Sequence, residues 1–262
     1  MMKTFAAALL LGLGVAGFAE AADLNLAPTG TLRAAYLQGN PAQAVQDPAT
    51  GEIRGASADI ARELARQADV PVAILPVQGV QGVIDAVRTG KADIGFVAYE
   101  QSRAGTVEFS QTYMLVGQTF VVPEASPIRS VADIDQTGRK IGAGRSDSIG
   151  LHLKRMLAQA SFVECPDDGF VEGRRMLAAG EIDAFGANRQ RLTTAVRGMP
   201  GYRVLPDNLY GVPQTIIVPK GKPSVLITVN RFIDEARASG FLKSAIERSG
   251  VIGVEMAPPS DR

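Results

Sequence analysis

The stretch GVIDAVRTGKADIGF, Gly82–Phe96, decides the fold class, because a helix-like segment passes through a glycine into a strand-like segment. Apolar residues at helical spacing predict a helix over Val80–Arg88, and Gly90 is typical of a helix end. The apolar run Ala92–Val97 then predicts a buried strand. Units of this kind, repeated along a chain, build parallel sheets that are covered by helices.

The same order recurs farther along the chain, in MLAAGEIDAF, Met176–Phe185. A helix is predicted over Val171–Ala179, Gly180 ends it, and Ile182–Phe185 predicts a strand. Other segments alternate in the same way, with strands at Leu32–Tyr36, Val72–Leu75, Lys140–Ala143 and Pro213–Val218 and helices at Ala58–Ala68, Val131–Ile134, Ser148–Gln159, Arg189–Val196, Pro223–Ala238 and Phe241–Arg248. The pattern runs twice, which favours two α/β lobes over a single barrel, because the eight even repeats of a barrel cannot be counted.

Composition and charge narrow the functional classes. The 262 residues include 27 Lys and Arg and 27 Asp and Glu, so the formal net charge is zero. Proteins that bind nucleic acids usually carry a basic excess, and we therefore expect no nucleic-acid partner.

The first residues have the three regions of a secretory signal peptide. A lysine precedes the apolar run Phe5–Phe18, and an A-x-A cleavage pattern ends at Ala21. Residues 1–21 are therefore predicted to be a signal peptide, cleaved after Ala21 or Ala22; a buried helix or a membrane anchor is the alternative. The single cysteine, Cys165, does not follow the cleavage pattern, so we expect a periplasmic protein with neither a lipid anchor nor a disulfide.

Five segments, in the same order, resemble the family 3 extracellular solute-binding proteins, the polar amino-acid-binding group of ABC transporter components. The segments are Gly51–Val72, Gly82–Phe96, Arg103–Tyr113, Ser126–Ile134 and Met176–Phe185. The third reads RAGTVEFSQTY and is similar to the family's segment in which an arginine precedes a Phe-Ser pair.

The resemblance implies an α/β fold of the two-lobed, type II periplasmic-binding-protein class, with a two-strand hinge. Lobe 1 would comprise residues 23–114 and 214–262 and lobe 2 residues 115–213, with the ligand in the cleft between them. The implied function is to bind a small carboxylate or amino-acid-like anion, by closure of the lobes, for an inner-membrane ABC permease. This role requires no cofactor or metal, and we expect a monomer.

The resemblance also implies ligand-binding residues. Arg103 lies six residues before Phe109, where the family has an arginine that binds the ligand carboxylate, and a planar guanidinium suits bidentate binding. The family register places a ligand-contacting hydroxyl at Ser148, and Ser146 and Arg145 lie just before this helix start, which can attract anions. In the alternative interpretation, Arg103 or Arg145 faces the solvent, and Ser146 or the aspartate after it caps the helix.

The remaining candidates lie on two loops of the first lobe. Phe96 lies in the predicted strand Ala92–Val97, Ala98 and Tyr99 follow it, and Ala98 stands where the family usually has a hydroxyl. Tyr36 and Asn40 lie on the first loop, where a leucine replaces the family's frequent acidic residue. Tyr36 and Tyr99 either form walls of the pocket or pack in the core.

Asn188 is the main departure from the family pattern. It lies five residues after Asp183, where the family usually has an aspartate that pairs with the ligand's α-ammonium. An amide brings no charge to that contact. Together with Leu37 and Ala98, it predicts a ligand whose α-ammonium is absent or weakly recognised.

Two other functions remain open at this point. Periplasmic enzymes resembling cyclohexadienyl dehydratase share the fold, and Glu100 is the nearest candidate for an acid or base. A ligand-sensing module for a receptor is the second alternative. His152, the single histidine, is interpreted as a structural residue, and Cys165 as a packed thiol.

Overall fold

The computed structural model describes residues 26–145, 147–165 and 169–259. The predicted signal peptide, residues 1–21, and the candidate ligand residue Ser146 lie outside the described residues. The strands are β1 Leu32–Leu37, β2 Val45–Gln46, β3 Ile53–Arg54, β4 Val72–Val77, β5 Ile94–Ala98, β6 Val107–Phe109, β7 Met114–Pro123, β8 Lys140–Gly144, β9 Ser161–Cys165, β10 Ala184–Asn188, β11 Tyr202–Val204, β12 Tyr210–Pro219 and β13 Val254–Met256. The α-helices are α1 Ala56–Gln67, α2 Gly79–Arg88, α3 Ser148–Met156, α4 Gly169–Ala178, α5 Arg189–Val196, α6 Pro223–Ala238 and α7 Phe241–Arg248, with 3-10 turns at Gln101–Arg103 and Val131–Asp133.

Three helices begin and end where the sequence predicts, because strong local signals mark their ends. Asn188 caps α5, since its side-chain oxygen accepts a hydrogen bond from the Arg191 N–H at 2.9 Å. Pro223 opens α6, and Gly240, with a φ of 77°, separates α6 from α7.

Helix α3 ends at Met156, before the predicted end at Gln159. The backbone N–H groups of residues 158–160 donate instead to the carboxylate of Asp135, at distances of 2.8 to 3.0 Å. A carboxylate that is distant in sequence therefore ends the helix, and no local pattern predicts this.

The strands form two similar halves of one sheet. In the first half β4, β1 and β5 run parallel, and β12 is antiparallel to β5. In the second half β9, β8 and β10 run parallel, and β7 is antiparallel to β10. The α/β class with parallel strands, predicted from the helix–strand alternation, is confirmed.

Two long strands, β7 and β12, join the halves. They pair antiparallel with each other over residues 114–118 and 210–214. Beyond this paired segment β12 continues along β5, and β7 continues along β10. We propose the paired segment as the hinge, with the lobe boundaries after residues 114 and 213.

The buried apolar residues form separate clusters in the two halves. Two clusters take their buried members from residues 26–116 and 216–246, and two others take theirs from residues 120–205. Each half thus has its own hydrophobic cores, as expected of two units that can move relative to each other. None of the helices in the described part of the chain is long and apolar enough to cross a membrane.

Cys165 lies in the core of the second half. Its sulfur is 3.8 Å from the sulfur of Met176, and burial raises the pKa of the thiol to about 11. The thiol is therefore protonated at neutral pH, as the interpretation of a packed, unreactive cysteine requires.

Gly150 allows α3 to approach the end of β8 closely. A Cβ atom added at this residue would lie 2.3 Å from the backbone oxygen of Gly144. We expect Gly150→Ala to lower the free energy of unfolding by about 1 to 3 kcal/mol, because backbone atoms have to move apart. Gly105→Ala is the control, since nothing lies within 4 Å of that position. Urea unfolding measures both, and equal stabilities would contradict the close approach.

Candidate ligand-binding cleft

A cavity of about 550 Å³ lies where parallel strands of both halves end. Its wall includes residues 37–40, at the end of β1 and in the loop after it, and Ala98 at the end of β5, all from the first half. From the second half come Ser148, after β8, and Asn188, at the end of β10. Ligands of open α/β sheets bind outside the carboxyl ends of the strands, so this cavity is the candidate binding site.

Arg103 points into the cavity from the 3-10 turn that follows β5. One of its guanidinium nitrogens donates to the backbone oxygen of Ala98 at 3.2 Å, and no described carboxylate forms an ion pair with it. Burial lowers the pKa of Arg103 and nearby Glu100 opposes this shift, but an arginine stays charged at any physiological pH. Most of its donors are free to bind a carboxylate.

The start of α3 contributes a hydroxyl and a carboxylate to the cavity wall. Ser148 is the first residue of the helix and lines the cavity, as the family register predicts. Asp147 precedes it and makes no side-chain capping hydrogen bond; its carboxylate lies 4.0 Å from the guanidinium of Arg191. Asp147 and Arg191 both line the cavity, and the sequence analysis did not predict this role for either residue.

The amide of Asn188 is oriented by helix α5. An N–H group can only donate, so the atom that accepts from the Arg191 N–H must be the side-chain oxygen of Asn188. The remaining polar group of the side chain is the NH₂, which is a donor. An aspartate at this position would have a second acceptor oxygen in its place, and the chain therefore lacks an anionic acceptor here.

Buried glutamines form a polar wall that the sequence analysis missed. Gln43, Gln118 and Gln214 are all buried and line the cavity. Gln43 donates to the backbone oxygen of Phe96 at 3.2 Å and to the side-chain oxygen of Gln214 at 3.3 Å, and it accepts from the Leu37 N–H at 2.9 Å. These bonds connect the end of β1 to β5 and β12, and a hydrogen-bonded network of this kind makes the wall rigid.

Three more of the predicted residues line the cavity. Phe96 and Ala98 belong to β5, and Ala98 adds only a methyl group and its carbonyl to the wall. Asn40 lies on the loop after β1, where its side-chain oxygen accepts from the Ala42 N–H at 3.2 Å. The leucine at position 37 also lines the cavity.

Three predicted residues lie outside the cavity. Tyr36 is 1% exposed and packs in the core of the first half. Arg145 is exposed and forms an ion pair with Glu164 at 2.6 Å, which corresponds to the outward arginine of the alternative interpretation. Tyr99 lies in a neighbouring pocket, with its ring edge against Phe109 at 5.1 Å between centroids.

We call this neighbouring pocket the side pocket. Its volume is about 270 Å³. Its lining residues are Tyr99, Glu100, Gln101, Ser148, His152, Arg155, Tyr210, Val212 and Pro213, of which Ser148 and Val212 also line the main cavity. His152 stacks on Tyr210, with 4.2 Å between ring centroids and 24° between planes. Burial lowers the pKa of His152, so the imidazole is neutral at pH 7.

The side pocket also contains Glu100, the residue on which the enzyme alternative depends. Glu100 lines the side pocket and does not line the main cavity. Among the described residues, no group of three or more His, Cys, Asp or Glu could hold a metal ion.

Comparison with known proteins identifies the family. Residues 32–249 match the bacterial extracellular solute-binding proteins, family 3, and the chain belongs to this family. A glutamine-binding protein of Geobacillus stearothermophilus is 26% identical over 176 residues, which are 66% of each chain and thus just under two thirds of that relative's length. An L-cystine-binding protein of Escherichia coli strain K12 is 24% identical over 252 residues, 95% of this chain and 93% of the other.

Solved structures share the fold. An ancestral arginine-binding protein bound to arginine is 26% identical, with a TM-score of 0.66, over 84% of this chain and 97% of the other. A solute receptor for L-cysteine of Neisseria gonorrhoeae is 22% identical, with a TM-score of 0.69, over 91% and 99% of the two chains. The family and the two-lobed fold predicted from the sequence are confirmed.

Proposed function

We propose that the protein is exported to the periplasm and serves as the solute-binding component of an ABC importer, with a small carboxylate or amino-acid-like anion as its solute. The observation that carries this proposal is Arg103, a guanidinium without an ion-pair partner among the described residues, in a cavity that both halves line. The relatives named above are called binding proteins for glutamine, L-cystine and arginine, which all carry a carboxylate.

The geometry supports a closure mechanism. Arg103 belongs to the first half, and Ser148 and Asn188 belong to the second, so a solute that contacts all three bridges the halves. Bending of β7 and β12 in their paired segment would bring the halves together around it. The closed form is then stabilised by contacts that the open form makes only in part, and this differential binding drives closure.

The wall of the cavity supports a solute whose α-ammonium is absent or weakly bound. Leu37 and Ala98 offer no side-chain acceptor, and Asn188 uses its oxygen to cap α5. Asp147 is the one carboxylate that the described lining provides, and its charge lies beside that of Arg191. A buried ammonium without an anionic partner loses its hydration and gains little in return.

A thermal-shift screen of matched pairs tests this preference. Each pair consists of an L-amino acid and its des-amino or 2-hydroxy analogue, and we expect the analogue to give the larger shift. A solute at a hundred times its Kd adds about 2.7 kcal/mol of stability. Asn188→Asp restores an anionic acceptor, so it should move the preference toward the amino acid.

Asp147→Asn is the matched control, because it removes a cavity carboxylate where Asn188→Asp adds one. If Asp147 binds the α-ammonium, this substitution lowers the affinity for the amino acid and leaves the affinity for its analogue unchanged. A wild-type protein that binds an ordinary amino acid tightly and ignores the analogue would contradict the proposed preference.

A further inference from the structure

The side pocket contains a carboxylate that has no direct partner in the described structure. This group, on Glu100, is partly buried, and it makes no hydrogen bond or ion pair with any described residue. A carboxylate that is partly removed from water gains by meeting a cation. The side pocket therefore has a polar group suited to a ligand, in addition to its aromatic walls.

The two pockets are adjacent. Ser148 and Val212 line both of them, so a solute that is held in the main cavity and reaches past these two residues would enter the side pocket. Arg103 lies in the first pocket and Glu100 in the second, two opposite charges without ion-pair partners among the described residues. A linear molecule with a negative and a positive end matches this arrangement.

The other groups of the side pocket are compatible with a cation. Tyr99 and Tyr210 contribute aromatic rings to the side pocket, and His152 covers one face of Tyr210. Aromatic rings attract cations that approach an open face. His152 is neutral at pH 7 because burial and nearby Arg155 lower its pKa, so it does not repel a cation. The positive charge of Arg155 repels a cation, but this side chain is exposed at the end of α3, where water and salt screen its charge.

We propose that the side pocket is a subsite for a cationic group at the far end of the solute. The solutes of this protein are then carboxylates that carry a terminal ammonium or guanidinium. This inference rests on the proposed function, because Arg103 must hold the carboxylate end. It also agrees with the missing acceptor at Asn188, since the positive charge lies at the end of the chain and not beside the carboxylate.

Calorimetric titration with matched acids tests the subsite. The probes are δ-aminovalerate with valerate and γ-guanidinobutyrate with butyrate, so each pair differs only in the terminal cation. We expect the wild-type protein to prefer the cationic member of at least one pair by about tenfold. In Glu100→Gln this ratio should fall to about one, because the amide keeps the shape and removes the charge.

Glu235→Gln is the matched control: Glu235 is exposed on α6 and lines neither pocket, and this variant should keep the wild-type ratio. Three results would each overturn the proposed subsite. The wild-type protein could bind both members of each pair equally, it could bind neither cationic acid, or Glu100→Gln could keep the wild-type ratio of affinities. A failure of the proposed carboxylate contact can be distinguished from a failure of the subsite. If Arg103 does not hold the carboxylate, Arg103→Met leaves the affinity for valerate unchanged.

Discussion

Replacing Arg103 by methionine is expected to weaken binding of the carboxylate solute at least about thirtyfold and to leave the fold intact. Methionine keeps the apolar stem and removes the charge and all five donors. Truncating one partner of a buried, hydrogen-bonded charge pair costs about 2 to 5 kcal/mol, which weakens binding from about thirtyfold to several-thousandfold. In the protein without solute the guanidinium contributes one side-chain hydrogen bond, to Ala98, so the free energy of unfolding should change little.

Arg145→Met is the control for this result. Arg145 is also an arginine near the start of α3, but it is exposed, pairs with Glu164 and lines neither pocket. Calorimetry should give this variant the wild-type affinity. Retained affinity in Arg103→Met, or equal losses in the two variants, would mean that Arg103 does not hold the carboxylate.

Replacing Asp93 by alanine is expected to cause a large loss of stability. The carboxylate of Asp93 is buried just before β5 and accepts three hydrogen bonds from Arg33: from the backbone N–H at 2.8 Å and from the guanidinium at 3.0 and 2.6 Å. Alanine leaves these donors without an acceptor. Because the Arg33 side chain is partly exposed, we expect a loss near the lower end of the range for buried pairs, about 3 kcal/mol.

Asp85→Ala provides the comparison, because Asp85 forms an exposed pair with Arg88 on α2. Pairs of this kind contribute about 0 to 1 kcal/mol, so this variant should unfold in urea close to the wild type. The double variant Arg33→Met/Asp93→Leu removes both charges and should recover part of the lost stability. If Asp93→Ala unfolds at the same urea concentration as Asp85→Ala, the buried pair does not stabilise β5 as we infer.

Much of the fold follows from local patterns, and the exceptions have physical causes. Helices α5, α6 and α7 could be predicted to the residue, because a cap, a proline or a glycine marks each boundary. The strand β7 was not predicted as an element, since its run MLVGQTFVVP is buried along most of its length and shows no alternation. The short strands β2, β3, β6, β11 and β13 depend on their pairing partners, which the sequence does not reveal.

Site residues that belong to a local sequence motif could be predicted, and site residues that come together from distant segments could not. The spacing of Arg103 to Phe109 and the helix start at Ser148 led to two residues of the cavity wall. The buried glutamines come from three separate segments, so only the sheet order brings them together. Tyr36 was ambiguous because β1 is buried on both faces, and the polar–apolar alternation that would orient its side chain is absent.

The most direct test of the account is a crystal structure of the mature protein with the carboxylate that gives the largest thermal shift. We expect this carboxylate to lie in the main cavity, with its oxygens about 3 Å from the guanidinium of Arg103. Ser148 should contact the same solute from the other half. A solute bound outside the cavity, or held there with Arg103 directed to the solvent, would contradict the account.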